Sequence, residues 1–301
     1  MQGFNSFLFP PFPREILQTE PDGAQILRNA DGMLVREKPG VQCIASEIGT
    51  SLTDRQAWEE LFLPRLQDSA DRLDQAVLDR MIAENDSDLP RGLLCGSFYG
   101  NIRNMLGVQE LAYLAVDDED LYREIIDTVG TLVIKTVRRV LETGVRADYA
   151  HIWEDICFRN GPLVNPSVFR ELVGPHYKAL TKLLSQYGID IVQVDCDGWI
   201  DALVPIWVEN GVNTMFPIEV GVWGGCIDKW RSQYGRQVRG LGGMNKLVFA
   251  QDKAAVDREL ERLRPLVDLG GYLPCPDHMI PPDSDFRLVA YYCEQFHKIF
   301  G

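Results

Sequence analysis

Short apolar runs alternate with helix-type stretches along the chain from Gly92 onward. Each run is almost continuously apolar, as in strands that are covered on both faces. The runs are GLLCGSF (92–98), DYAHIWE (148–154), IDIVQVD (189–195), VNTMFPIE (212–219), QVRGLGG (237–243) and GYLPC (271–275). The helix-type stretches cover 106–144, 166–187, 199–210, 226–234, 246–267 and 284–299. Strands that alternate with helices predict parallel β/α/β units.

The number of these units predicts a (β/α)8 barrel of the TIM type, within the α/β class. Six units are visible, and FNSFLFP near the N-terminus leaves room for one more. No GxGxxG follows the first strand, as a doubly wound dinucleotide-binding sheet would require. Because the count stays below eight, the first β/α unit is expected to be absent or to lie upstream in a longer product. We predict one barrel domain over residues 1–301, with the main barrel at 91–301.

The first ninety residues are predicted to be a decorating segment with the early part of the barrel. Asp-Gly pairs at 22–23 and 31–32 lie between short β-type runs, a pattern typical of hairpins. An acidic helix-type stretch follows from Asp54 to Asn85. We therefore predict an N-terminal hairpin followed by helical decoration.

Composition and charge limit the possible partners. With 301 residues, 46% of them hydrophobic, the chain can bury a large core. Its net charge of −14 opposes binding to nucleic acid or to an anionic membrane. No apolar run approaches the roughly 18–20 residues that cross a bilayer, and the N-terminus lacks a secretion signal. The seven cysteines include no CxxC pair, so we expect buried free thiols in a cytoplasmic protein.

Carboxylates recur where the predicted strands end, which is where barrels of this type carry their chemistry. The run IVQVDCDGW ends on Asp195 and Asp197, and Glu154 ends an earlier run. Like charges that converge raise carboxyl pKa values, which produces acids and bases that work near neutrality. Asp197 is equally placed to cap the helix that follows. Of the neighbours at 154–155, we expect Glu154 to face the barrel interior and Asp155 to be structural.

His278 differs from the other histidines because it follows the last apolar run, beside Cys275 and Asp277. Together with Asp195, Asp197 and Cys275, it could form a mixed nitrogen, oxygen and sulfur metal site. Such a set suits zinc, although the spacing is not diagnostic. The remaining histidines, expected to be packing or surface residues, are His151, His176 and His297.

Several ordered motifs together resemble one family. They are HIWEDICFRNGPLVNPSVFRELVGPHY (151–177), VDCDGW (194–199), GGMNK (242–246) and GGYLPCPDHMIPPD (270–283). From about Gly92 to the C-terminus, the chain resembles the uroporphyrinogen decarboxylase superfamily, and most closely its methyltransferase-like branch that works with corrinoid proteins. The resemblance implies a (β/α)8 barrel with its cleft at the carboxyl ends of the strands.

The resemblance also implies one of two activities. The decarboxylases remove the acetate side chains of uroporphyrinogen without a cofactor. The methyltransferases move a methyl group between a corrinoid protein and a thiol or other acceptor, often with zinc. VDCDG falls where those methyltransferases have His-x-Cys-Gly, so Asp195 takes the histidine place, Asp197 takes the cysteine place, and the last ligand falls at or near His278. Oxygen ligands are harder than thiolates, so zinc held by them is expected to activate a thiol acceptor less well. His278 also matches the Gly-His-Gly position of the decarboxylases.

Electrostatics favour methyl transfer over decarboxylation. The N-terminal arginines that hold the substrate carboxylates in the decarboxylases are absent from this chain. A substrate rich in carboxylates would be repelled by an acidic mouth, at about 1 kcal/mol per close charge pair in water and more when partly desolvated. The acidic residues expected at the mouth are Glu154, Asp195, Asp197 and Asp277, and the cations expected near it are Arg103, Arg159 and Lys246.

We therefore predict a methyltransferase that moves a methyl group between a small substrate or corrinoid and an acceptor. The predicted catalytic residues are Glu154, Asp195 and His278; the predicted substrate-binding residues are Tyr99, Asn101, Arg103 and Asn245; the predicted metal ligands are Asp195, Asp197, Cys275 and His278. The expected cofactors are zinc and a corrinoid on a partner protein, and the expected assembly is a homodimer. A tetrapyrrole decarboxylase and a non-catalytic subunit of a methyltransferase complex stay open as alternatives.

Overall fold

The computed structural model describes residues 3–41, 45–86 and 88–301. The strands in chain order are β1 (Glu15–Thr19), β2 (Gln25–Arg28), β3 (Met33–Glu37), β4 (Ser46–Thr50), β5 (Gly92–Gly96), β6 (Tyr149–Trp153), β7 (Cys157–Phe158), β8 (Gly161–Pro162), β9 (Ile191–Asp195), β10 (Thr214–Ile218), β11 (Arg239–Met244) and β12 (Tyr272–Pro276). The α-helices are α1 (Arg55–Ala57), α2 (Gln75–Ala83), α3 (Gly100–Asp117), α4 (Glu119–Glu142), α5 (Pro166–Val168), α6 (Gly174–Gln186), α7 (Val204–Glu209), α8 (Val220–Trp223), α9 (Ile227–Tyr234), α10 (Lys253–Asp268) and α11 (Phe286–Phe300). Short 3-10 or π turns cover Trp58–Phe62, Leu63–Leu66, Ala70–Arg72, Phe169–Val173, Gly235–Gln237 and Lys246–Ala250.

The chain divides into two compact units. The first unit consists of Met1–Glu154 and Ser167–Asp190, and the second consists of Asp155–Pro166 and Ile191–Gly301. Each unit contains parallel strands followed by helices, so the α/β class is confirmed. The single barrel domain over 1–301 stays a prediction.

The N-terminal part of the first unit is a four-stranded antiparallel sheet in the order β1-β2-β3-β4. Both Asp-Gly pairs lie in the turns of this sheet, where Gly23 and Gly32 have positive φ angles of 82° and 84°. These are backbone conformations that glycine adopts without strain. A small core of Leu27, Met33 and Val35 lies under the sheet. The predicted hairpin is therefore confirmed, and it is extended by a third and a fourth strand.

The rest of the first unit is built on the parallel pair β5 and β6. Helix α4 packs against α3, α6 and β5, and it buries a stripe of apolar residues with helical spacing. The sequence predicts one helix over 106–144, whereas the structure has two. The break falls at Asp118, whose carboxylate accepts a hydrogen bond from the Leu121 N–H at 2.9 Å and so begins α4 as its N-cap.

The second unit contains a parallel sheet in the order β9-β10-β11-β12. Its registers pair Met215 with Val194 and with Gly240, and Gly243 with Cys275. Helix α10 packs against β12 and α11. Because the strands are parallel, all four present their carboxyl ends at the same edge of this sheet.

Two expectations from the sequence need correction. The segment FNSFLFP was predicted to supply a further β/α unit, but it forms only an isolated antiparallel bridge between Phe4 and Leu73. The helix predicted over 199–210 begins at Val204, with Pro205 in its first turn, where the missing N–H of proline is tolerated. Within residues 3–41, 45–86 and 88–301, the parallel strands number six, two in the first unit and four in the second.

The six cysteines that the structure describes are free thiols, and Cys95, Cys157 and Cys196 are buried, as expected. Cys43 lies outside the described residues. None of the helices in the described part of the chain combines the length and the apolar character that crossing a membrane needs.

Candidate functional site

Polar residues occupy the carboxyl ends of the four strands in the second unit. Asp195 ends β9 and is followed by Asp197; Glu219 follows β10; Asn245 follows β11; Asp277 and His278 follow β12. Since the four strands are parallel, these residues belong to one edge of the sheet. Of the residues predicted to meet at one mouth, Asp195, Asp197, Asp277 and His278 therefore share this edge, whereas Glu154 belongs to the first unit.

The centre of this edge is a pair formed by Asp197 and His278. The Nε2 atom of His278 lies 3.1 Å from Oδ2 of Asp197, and the two side chains are 34% and 39% exposed. The other ring nitrogen, Nδ1, forms no hydrogen bond with any residue that the structure describes. When Asp197 is ionised, it accepts the Nε2 proton, which leaves Nδ1 as an accessible proton acceptor.

The surroundings of the pair shift the acidity of Asp197. Burial raises the pKa of this carboxyl above its ordinary value, and the nearby charges of Asp155 and Asp195 raise it further, while His278 opposes the rise. The mutual repulsion expected from the sequence therefore acts here. Asp155 was expected to be structural, yet its charge raises the pKa of Asp197. Its backbone is left-handed, with φ of 48°.

Glu219 holds the turn that carries Asp197. Its buried carboxylate accepts a hydrogen bond from the Gly198 N–H at 2.6 Å. Gly198 has φ of 86°, and a Cβ atom there would lie 2.5 Å from the carbonyl oxygen of Cys157, so only glycine fits. Burial raises the pKa of Glu219, and Asp197 adds to the rise. Glu219 ends the apolar run VNTMFPIE, but no role was predicted for it from the sequence.

Asp277 fastens the loop that carries His278. Its completely buried carboxylate accepts hydrogen bonds from the backbone N–H groups of Val220 at 3.0 Å, Gly221 at 2.9 Å and Lys246 at 3.1 Å. These donors belong to the segments that follow β10 and β11, so one carboxylate joins three strand ends. Asp277 was predicted to lie at the mouth, but its position in the sequence does not reveal that its carboxylate binds backbone groups.

Asn245, predicted to bind substrate, acts as a local cap in the structure. Its side-chain oxygen accepts the Leu247 N–H at 3.1 Å, and its own backbone N–H donates to Glu259 at 2.7 Å. The substrate-binding role of Asn245 stays a prediction. Capping of the turn that follows β11 is sufficient to explain an asparagine at this position.

The predicted metal ligands do not form a coordination site. Within the described ranges, no three side chains of His, Cys, Asp or Glu are grouped so that they could hold a metal ion. Burial raises the pKa of the Cys275 thiol above its ordinary value. Asp197 and His278 are joined directly by a hydrogen bond, and two ligands fall short of the three or four in zinc sites.

Glu154 lies in the first unit and is completely buried. Its two carboxylate oxygens accept five hydrogen bonds, from the backbone N–H groups of Phe98, Tyr99 and Gly100 and from the hydroxyls of Ser97 and Tyr177. Burial raises the pKa of Glu154, while these donors oppose the rise. The arrangement joins the end of β6 to the start of α3. The predicted role of Glu154 as catalytic acid or base stays a prediction.

The other predicted substrate-binding residues also belong to the first unit. The Tyr99 hydroxyl is buried and lies 2.8 Å from that of Tyr122. Asn101 and Trp153 line a cavity of about 350 Å³ at the ends of β5 and β6. The Arg103 guanidinium lies 5.7 Å from the centre of the Trp153 ring. Of the three, Asn101 lies where a small ligand could reach its side chain.

Comparison with known proteins supports the fold. The α/β architecture, with polar residues at the carboxyl ends of parallel strands, is shared by many enzymes. A methyltransferase from Methanosarcina mazei has a similar structure, with a TM-score of 0.57 and 17% sequence identity over 88% of this chain and 76% of that chain. No family model matches the sequence. No curated protein matches it either. At this identity the likeness concerns the fold.

Proposed function

We propose that this protein is a methyltransferase whose acid–base centre is the Asp197–His278 pair. The observation that carries the proposal is the hydrogen bond between Asp197 and His278, which leaves Nδ1 accessible at the end of a parallel sheet. The fold resembles that of a methyltransferase, which supports the class of reaction. The motifs resembling the corrinoid-linked branch point in the same direction.

In the proposed reaction, His278 takes the proton that the methyl acceptor must lose. The acceptor attacks the methyl carbon, the bond from methyl to donor breaks, and the electron pair of that bond leaves with the donor. The acceptor proton passes to Nδ1 of His278, and the ionised Asp197 stabilises the resulting imidazolium. Asp197 also fixes the orientation of the ring.

The remaining residues of this edge position the pair. Glu219 holds the turn at Gly198, and Asp277 holds the loop before His278, so both partners approach each other from anchored segments. Methyl transfer needs donor, methyl and acceptor in line, so positioning contributes much of the rate.

Several finer assignments remain proposals. A corrinoid on a partner protein is one candidate methyl donor, and a homodimer, a cytoplasmic location and a closed (β/α)8 barrel accord with the resemblance. Zinc stays a prediction from the sequence, and the proposed proton transfer does not require it, because no three potential ligands group together in the described part of the chain. Metal analysis of the purified protein would decide this point: a stoichiometric zinc would require Asp195 and Cys275 to rearrange.

An absorbance assay with two substrates tests the proposed class. Wild-type protein is incubated with methylcobalamin and a small thiol, and demethylation of the corrinoid is followed by its spectrum. Uroporphyrinogen is supplied in a parallel reaction. We expect corrinoid demethylation, with the thiol methylated, and no loss of carbon dioxide. Decarboxylation alone would favour the carboxy-lyase alternative, and inactivity in both assays across a panel of acceptors would favour the non-catalytic subunit.

A further inference from the structure

A cleft in the second unit, separate from the Asp197–His278 pair, has the features of a ligand site. It has a volume of about 450 Å³, within the range of small-molecule pockets. One wall is the β7–β8 hairpin with Asn160 and Pro162, and the opposite wall is formed by α9. Trp199 also lines the cleft, and its backbone N–H is bonded to the carbonyl of Phe158 at 2.8 Å. We call this the tryptophan cleft.

A single carboxylate fixes the aromatic wall of the tryptophan cleft. Asp201 accepts the indole N–H of Trp199 at 3.1 Å and that of Trp230 at 2.7 Å, and Lys229 also donates to it. Burial alone would raise the pKa of Asp201, but these three donors outweigh burial and lower it. Asp201 is therefore ionised at neutral pH, and the rings are held in place before any ligand binds.

Trp199 remains 43% exposed although both its indole N–H and its backbone are fixed. Trp223, which does not line the cleft, stacks on Trp199 with ring centroids 6.4 Å apart and planes at 20°. Trp199 therefore both packs against Trp223 and lines the cleft. A large, rigid and exposed aromatic surface is characteristic of recognition sites. A flat ring in the cleft would extend the existing stack.

The charged groups of the cleft favour an anionic ligand over a cationic one. The Asp201 carboxylate is already satisfied by three donors, so it offers little to a cationic ligand. Lys229 is 65% exposed, and its ammonium group has donors beyond the one directed at Asp201. Asn160, Gln233 and Tyr234 supply further polar groups at the edge. The cleft therefore combines an aromatic face with a cationic donor.

We propose that the tryptophan cleft binds a planar aromatic anion, with its ring on Trp199 and its carboxylate at Lys229. The proposal is independent of methyl transfer, because neither Trp199 nor Lys229 has a role in the proposed chemistry. It assigns a second small-molecule site to the second unit.

Titration calorimetry with three probes tests the proposal on the full-length protein. Indole-3-carboxylate supplies ring and charge, indole-3-carboxamide lacks the charge, and cyclohexanecarboxylate lacks the aromatic ring. We expect the first to bind about fivefold or more tightly than cyclohexanecarboxylate, because of stacking. We also expect it to bind about two- to fivefold more tightly than the carboxamide, because of one exposed charge pair.

Two variants locate the binding. Trp199→Ala should weaken indole-3-carboxylate about fivefold or more. Lys229→Gln should remove the preference for the carboxylate over the carboxamide, and this readout does not depend on whether Trp199→Ala folds. Leu269→Ala, at an exposed residue of the same unit outside the cleft, is the control and should change neither. Equal binding of all three probes, no binding of indole-3-carboxylate, or an unchanged preference in Lys229→Gln would overturn the proposal.

Discussion

At the scale of single residues, the carboxylates at the strand ends have two different roles in this protein. Asp197 and His278 are 81 positions apart, and their partnership depends on how β9 and β12 fold into one sheet. Spacing therefore could not predict which acids contact His278, although strand ends correctly indicated where to look. Glu154 and Asp277 are also acidic residues at strand ends, yet their carboxylates accept hydrogen bonds from backbone N–H groups. Only tertiary structure distinguishes such anchoring acids from accessible ones.

Replacement of Glu154 by glutamine should destabilise the protein although the side chains have the same shape. Three of the five partners of Glu154 are backbone N–H groups, which can only donate: Phe98 bonds to Oε1, and Tyr99 and Gly100 bond to Oε2. Either orientation of a glutamine amide therefore points its NH2 group at one or two N–H groups. We expect a loss of about 2–3 kcal/mol in the free energy of unfolding, measured with urea. Tyr177→Phe removes one donor and should lose less, about 1 kcal/mol. Equal stability of wild type and Glu154→Gln would refute the anchoring role.

The titration of Glu219 should make stability depend on pH. Its pKa is raised in the folded state, so the folded protein favours the protonated form. The stabilisation from this proton is fully present below the ordinary carboxyl pKa and is lost as pH rises through the raised value. Glu219→Gln keeps an acceptor for Gly198 but cannot ionise. We expect the unfolding free energy of wild type, relative to this variant, to decrease as pH rises above the ordinary glutamate pKa of about 4.3 and to level off once pH exceeds the raised value. A constant difference across that range would show that Glu219 does not titrate as described.

At the scale of secondary structure, the apolar runs predicted the six parallel strands to within a few residues. They succeeded because parallel strands are apolar on both faces; β9 and β10 are mostly buried, whereas β5 and β12 leave Leu94 and Leu273 exposed. The helix boundaries were predicted less accurately. Asp118 caps the start of α4 inside the stretch 106–144, and α7 begins only at Val204, with Pro205 in its first turn, inside the stretch 199–210. The sequence GYLPCPD also contained an unused indication: prolines in a strand mark the edge of a sheet.

Pro274 and Pro276 lie on the outer edge of β12 and lack the backbone N–H groups that pairing with another strand would use. The carbonyl of Gly271 and the N–H of Asp277 bond to β11, so alternation directs the backbone groups of residues 272, 274 and 276 away from β11. Prolines at two of these positions remove the N–H donors that would recruit another strand. Replacing both with valine should therefore increase self-association, as measured by light scattering at rising protein concentration.

A matched control separates edge protection from general destabilisation. Leu273→Val alters an exposed residue of the same strand but leaves both prolines in place. It should scatter like wild type. If the doubly substituted protein stays as dispersed as Leu273→Val, the prolines do not protect this edge.

At the scale of the whole molecule, the dominant property is the net charge of −14. This excess causes repulsion among acidic groups in the folded state. The ion pairs at the surface, such as Arg14 with Glu37 and Arg36 with Asp22, are largely exposed and contribute little. The sequence was sufficient for this conclusion, since net charge does not depend on the fold.

Added salt should therefore stabilise the protein at neutral pH. Raising sodium chloride from about 0.02 M to about 0.2 M shortens the screening length to below 10 Å and weakens the repulsion. We expect the midpoint of thermal unfolding to rise over this interval. Near the isoelectric pH of about 4.8, where the net charge vanishes, the same salt should have little effect. A midpoint that falls with salt at neutral pH would mean that attractive ion pairs dominate instead.

If Asp197 and His278 form the acid–base centre, replacing His278 by glutamine should abolish most of the methyl transfer. The rate of methylcobalamin demethylation is compared among wild type, His278→Gln and His297→Gln, the last an exposed histidine on α11 that serves as the control. We predict a loss of about a hundredfold or more in His278→Gln, because a general base is removed, and no loss in the control. An active wild type with an undiminished rate in His278→Gln would contradict the account.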